Sequence, residues 1–126
     1  MREVRTGAAP QPVGPYSQAV VHGGLVFVAG QLPHDPADPS RPAGGVEEQT
    51  ERALRNVEAI LEAAGSGLDR LLSVTVYVTD VGLWPRVNAA YARVLGPHRP
   101  ARAVVPVKEL HHGYLVEVQA VAAVRE

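Results

Sequence analysis

Cysteine is absent from the 126 residues, which excludes disulfides, iron–sulfur clusters, thiolate zinc sites and any thiol nucleophile. An intracellular setting is the economical expectation. Aromatic residues are scarce at 5% and the formal net charge is only -1, so neither a stacking platform nor a basic funnel for nucleic acid is evident. No run of about eighteen apolar residues occurs, the length a spanning helix needs, and the opening MREVRTGAAPQPVG has no apolar stretch fit for a signal sequence. A cytoplasmic protein without a membrane partner is expected. No internal repeat, low-complexity segment or long linker divides the chain, and its length suits one domain, 1–126, burying roughly two thirds of its unfolded surface.

What the chain does have is Val, Ala and Leu, punctuated by twelve glycines and eleven prolines, and this punctuation separates the elements. The stretch YSQAVVHGGLVFVAGQL predicts a hairpin turning at His22, Gly23 and Gly24. HDPADPSRPAGG predicts a loop. From Val46 to Ala64 a helical stripe gathers Ala53, Leu54, Val57, Ile60, Leu61 and Ala64, with Gly65 as the stop. LLSVTVYVTD alternates Leu72, Val74, Val76 and Val78 with Ser73, Thr75, Tyr77 and Thr79, the period of a strand with two unlike faces. A second helix is predicted over Leu83 to Leu95, with Pro85 in its first turn and Val87, Tyr91, Val94 and Leu95 inward. Two strands, about Arg102 to Val107 and Tyr114 to Val124, close the chain, and Pro106 marks an edge or a bulge.

The order β-β-α-β-α-β-β predicts an α+β sandwich: a mixed sheet with two helices on one face. The uncovered face would carry Thr and Tyr from the middle strand with Glu117 and Gln119 from the last, and Arg102 is a candidate to join it. Arg102 opens an otherwise half-buried strand, HRPARAVVPV, and a guanidinium there needs a carboxylate, a phosphate or open water. Glu117 lies between Val116 and Val118, so its side chain leaves on the opposite face. A hairpin of the last two strands about His111 and His112 would set Arg102 near Val121 and leave Glu117 about 13 Å along the strand, so either a ligand reaches between them or neighbouring chains supply different parts.

The five histidines, His22, His34, His98, His111 and His112, have no ligand spacing for a metal, and none is expected. His111 and His112 suit a turn or rim. The glycine pairs form no phosphate-binding loop, and Ser17 lacks the setting of a nucleophile elbow.

GPYSQAV, VFVAGQLP, NVEAILEAAGSGLDRLLSVTVYVTD, VNAAYARVLG, PARAVVPV and VEVQAVA follow one another in an order and spacing that resemble the RidA (YjgF) family over nearly the whole chain. The resemblance implies a chorismate-mutase-like protomer assembled as a homotrimer, with ligand pockets in clefts between subunits. Catalytic members hydrolyse reactive 2-imino or 2-enamino acids, such as 2-iminobutanoate or 2-iminopropanoate, to 2-oxo acids and ammonia without metal or organic cofactor. Carried over by position, the arginine that grips the substrate carboxylate is Arg102, the glutamate that handles water or a proton is Glu117, and the tyrosine of GPY is Tyr16. Gly30 and the asparagine of the second helix, Asn88, complete the set, with backbone N–H groups near Gly30 and Gln31 available to a carboxylate.

Two positions depart from that family's pattern: Ala29 stands where many members have serine, and Val104 where many have cysteine. The first bears on the substrate and the second removes any thiol role. The leading expectation is thus a cofactor-independent imine deaminase. Alternatives are a non-catalytic module binding small carboxylates in the same clefts, and an endoribonuclease or translation inhibitor, against which the near-neutral charge and sparse aromatics count.

Overall fold

A computed structural model describes all residues, 1–126. One sheet runs in the order β1-β2-β3-β6-β4-β5. Its strands are β1 (Arg2–Val4), β2 (Ala19–His22), β3 (Leu25–Gln31), β4 (Leu71–Val78), β5 (Ala101–Pro106) and β6 (Val116–Ala123), and the helices are α1 (Val46–Ala63) and α2 (Trp84–Leu95). Only β4 and β5 pair in parallel, so the sheet is mixed. This is the α+β architecture read from the sequence, with one added element: β1, three residues long, is too short for a periodic signal.

Local chemistry explains most elements. Gly23 and Gly24 take φ of 59° and 77°, the left-handed pair that a tight β2–β3 hairpin requires and glycine adopts without penalty. Helix α1 buries Ala53, Leu54, Val57, Ile60 and Leu61 on one stripe. It ends where Ser66 N–H donates to Leu61 O at 2.8 Å, with Gly65 at φ 80° between them. Pro85 sits in the first turn of α2, where a missing N–H costs nothing. No helix is long and apolar enough to cross a membrane.

The core lies between the helices and one face of the sheet. Val26 and Val28, Val74, Val76 and Val78, and Val116, Val118, Ala120 and Ala122 are all nearly inaccessible. The other face has no covering layer, leaving Phe27, Leu72 and Val105 exposed.

The last two strands do not form the predicted hairpin. β5 pairs with β4 alone, and β6 lies on the other side of β4, between β4 and β3. The reason is the connection: β4, α2 and β5 form a strand–helix–strand crossover, which sets its two strands parallel and leaves β5 at the edge. There Pro106 omits no ladder hydrogen bond that the sheet interior needs. Register contacts run Val74 to Arg102 and Val78 to Pro106.

Leu54 is fully buried in this core. Leu54→Ala is expected to lower the unfolding free energy by about 2–5 kcal/mol, measured by urea denaturation at fixed protein concentration.

Candidate functional site

Glu117 lies on the uncovered face, near the start of β6. Its neighbours Val116 and Val118 are fully buried on the helix side, so the pleat turns its carboxylate outward, opposite Tyr77 of β4. Next along the same face, Gln119 Oε1 accepts a hydrogen bond from the Tyr77 hydroxyl at 2.9 Å. The Thr, Tyr, Glu and Gln expected on this face therefore share it.

On the other side of Glu117, the register between β3 and β6 shifts between Val28 and Gln31. This bulge brings Gly30 against the carboxylate: a Cβ there would overlap Glu117 Oε2 and lie 3.1 Å from its Cδ. The absence of a side chain at Gly30 leaves room for the acid in this position, beside the bulge in β3. Gln31 is buried, and its Nε2 donates back to Ala29 O at 3.1 Å. What this segment can offer a ligand is therefore backbone.

Burial pushes the Glu117 carboxyl above the ordinary glutamate range, and the charge of His111 pulls in the other direction. Glu117, Glu109, Leu110, His111, His112 and Gly113 line an open groove of about 540 Å³. The two adjacent histidines thus sit at the rim, as their sequence position suggested.

Arg102 lies elsewhere. It is in register with Val74, which is buried under the helices, and not with the residues of the uncovered face. Its guanidinium carbon stands 4.8 Å from the centroid of the Tyr91 ring on α2, a cation–π stack. The expectation that Arg102 joins Glu117's face is overturned, because parallel pairing with β4 fixes its pleat phase. Across the order β6-β4-β5 the two residues are separated by two strand spacings, about 10 Å, and by about 10 Å along the strands, with opposite directions. Arg102 takes part in none of the ion pairs of the chain and is exposed to water.

Two further groups lie on α2, the helix against which Arg102 stacks. Asn88 Oδ1 and the Tyr91 hydroxyl are buried without a hydrogen-bond partner, on the same side of α2 by their spacing of three. Burial raises the Tyr91 phenol above its ordinary value, with Arg102 and Arg99 opposing. Tyr91 was legible from the sequence only as a core residue; its role as platform for Arg102 depends on tertiary packing. Val104, two residues on, is half-buried and packs against the core. Tyr16 is 51% exposed in the segment before β2, its N–H bonded to Gly14 O at 2.9 Å. One chain thus brings Glu117 together with Gly30, and Arg102 with Tyr91, as two separate clusters.

A model of the family described as Endoribonuclease L-PSP matches residues 6–124. The chain belongs to this family, RidA/YjgF. Similar members include a RutC family protein of Pyrococcus horikoshii, 43% identical over 97% of this chain and 98% of that protein. The human 2-iminobutanoate/2-iminopropanoate deaminase is 36% identical over 96% of this chain and 88% of its own length. Among solved structures, Escherichia coli TdcF with bound serine matches with a TM-score of 0.93 and 32% identity, covering both chains fully. The YjgF gene product of Escherichia coli gives 0.93 and 35% identity, over 99% of this chain and 100% of that one. The mixed sheet with two helices is the RidA/YjgF fold.

Gly30→Ala tests the close approach. The Glu117 side chain can swing away, so the thermal midpoint is expected to stay within a few degrees, while any activity that depends on the carboxylate falls by about 100-fold.

Proposed function

We propose that this RidA/YjgF member is a 2-iminoacid/2-enamine deaminase, hydrolysing small imines such as 2-iminobutanoate or 2-iminopropanoate to 2-oxo acids and ammonia without a cofactor. The observation that carries the reading is Arg102: a guanidinium with no carboxylate partner in its own chain, stacked on Tyr91 and open to a ligand. A planar fork of this kind meets a 2-imino acid carboxylate with two parallel, charge-assisted hydrogen bonds.

As half-sites, the two clusters require a second copy. In the proposed homotrimer the uncovered sheet faces turn inward, burying Phe27, Leu72 and Val121, and Arg102 of one protomer meets Glu117, Gly30 and Tyr16 of its neighbour across a cleft. The bulge backbone at Gly30 and Gln31 supplements the carboxylate clamp, and Asn88 and Tyr91 hold the arginine's surroundings. Glu117 then acts on water. Its carboxylate takes a proton as the water oxygen bonds to C2 of the protonated imine, and the π pair moves to nitrogen. Returning that proton to the nitrogen lets the C–N bond break with its pair on ammonia, while the hydroxyl gives its proton to the Glu117 carboxylate and becomes the carbonyl of the 2-oxo acid.

A second reading has its own support. Ala29 supplies no hydroxyl in the bulge, and TdcF binds serine, so a module that binds small carboxylates without turning over imines fits the same cleft. The ribonuclease in the family's description finds no support in the net charge of -1 and 5% aromatic content.

The deciding experiment generates iminobutanoate in situ with semicarbazide competing for it, and follows 2-oxobutanoate. Wild type is expected to restore the product, and Arg102→Lys to lose about 10- to 100-fold in kcat/KM although the charge is kept. Binding of 2-oxobutanoate with no imine turnover would select the module. Because Glu117 must be ionised to take a proton and burial holds it up, the acid limb of kcat/KM is expected above the ordinary value of 4.5 and to vanish in Glu117→Gln. Phe27→Glu is expected to dissociate the assembly, seen by light scattering, and to abolish turnover with it.

A further inference from the structure

The connection between β5 and β6 is short, exposed and yet firmly pinned. His112 sits at φ 62° and ψ 17°, followed by Gly113 at φ 70°. The left-handed region is uncommon for a residue with a side chain and persists where surrounding contacts impose it. Those contacts are aromatic. The His34 ring meets His112 edge-on with centroids 5.1 Å apart and Tyr114 edge-on at 5.0 Å, and the Tyr114 hydroxyl lies 3.1 Å from His34 Nδ1.

Helix α1 anchors both ends of this stack. Asn56 Nδ2 donates to His34 O at 2.8 Å and to Leu32 O at 3.1 Å, and Gln49 Oε1 accepts from Leu115 N–H at 2.7 Å. Burial and the neighbouring His112 push His34 below the ordinary imidazole range, which favours the neutral ring inside the stack. His111 is held to this stack by its backbone, where its carbonyl accepts from Tyr114 N–H at 3.3 Å, and its ring lies 6.2 Å from that of His112; the side chain is exposed on the wall of the groove that Glu117 closes.

We propose that His111 is the second proton-handling group of this groove, paired with Glu117 and positioned by the His34–Tyr114–His112 stack. The assignment deepens the deaminase reading and rests on it for its substrate. Imine hydrolysis needs two opposite proton transfers, one from the attacking water and one to the departing nitrogen. With a single carboxylate the same group must do both in turn. Here Glu117 keeps the water proton while the His111 imidazolium protonates the amine of the tetrahedral adduct. As the C–N pair leaves with ammonia, the hydroxyl forms the carbonyl and its proton returns to His111. Glu117 then releases its proton to ammonia or solvent, which closes the cycle. Imidazole suits this task because it changes charge between about pH 5 and 8.

The groups facing Glu117 are Tyr77 from β4, the backbone of Gly30 from β3, and Glu109, His111 and His112 from the connection. In the proposed trimer a neighbour's Arg102 adds to them. Replacing His111 alone leaves the others in place.

The test follows the Glu side-chain carboxyl carbons by NMR titration in ligand-free protein, for wild type and His111→Gln, together with the pH profile of iminobutanoate hydrolysis. The Glu117 midpoint is expected to rise in His111→Gln, because an opposing cation has gone. In the same variant kcat is expected to fall about tenfold or more at little change in KM, with the limb belonging to the imidazole lost and the thermal midpoint unchanged. Tyr114→Phe, which frees the stack, is expected to lower kcat less and to keep that limb. A Glu117 midpoint unmoved by His111→Gln, or identical rate profiles for the two proteins, overturns the proposal. A shifted midpoint in a protein that turns over no imine supports the pairing and overturns the deaminase reading instead.

Discussion

The alternation of the pleat across β6, β4 and β5 is the constraint on which the rest of the molecule depends. Val116, Val118, Ala120 and Ala122 must face the helices to complete the core, and with a side-chain period of two this leaves Glu117, Gln119 and Val121 no choice but the other face. The same registration carries Arg102 to the helix side, level with Val74. Slipping β6 by one residue would exchange its two faces and put the Glu117 carboxylate into the core, while slipping β5 would carry Val104 off the core and Arg102 to the uncovered face.

That separation gives the uncovered face its meaning. A sheet face bearing Phe27, Leu72 and Val121 beside Tyr77, Gln119 and Glu117 is a poor surface for an isolated protomer and a good one for self-association, where polar groups can pair and apolar area leaves water. A second copy is also what a reaction needs if it requires the arginine and the acid together. In the proposed homotrimer, stability of the assembly and completeness of the site become one property, because burying the sheet face would also bring Arg102 and Glu117 together.

Around Glu117 the surroundings work against one another. The β3 bulge and Gly30 let the backbone close on the carboxylate and remove water from it, which favours the neutral acid, while His111 favours the anion. An acid held between such pressures can change protonation during a reaction more readily than a fully solvated one. The pinned β5–β6 connection is part of that balance, since Gln49 of α1 holds its end at Leu115, Asn56 holds the backbone of His34, and the stack of His34, His112 and Tyr114 holds its shape.

The sequence by itself determined the elements whose signal is local. The Gly23-Gly24 turn, the stripe of α1, the proline-led start of α2 and the two-faced alternation around Val74 to Val78 and Val116 to Val118 were legible, because each rests on neighbours within a few residues. The outward direction of Glu117 was legible for the same reason. Beyond the β2–β3 hairpin, tertiary structure alone decided which strands pair. The β5–β6 hairpin expected from adjacency gave way to the parallel β4–β5 crossover, although α2 between those strands was the signal for it. With that pairing went the face of Arg102, its stack on Tyr91, the closeness of Gly30 to Glu117, and the placing of His111 in the groove. These are contacts between residues far apart in the chain, and periodicity reports only on the face each residue takes within its own element, not on what will come to lie opposite it.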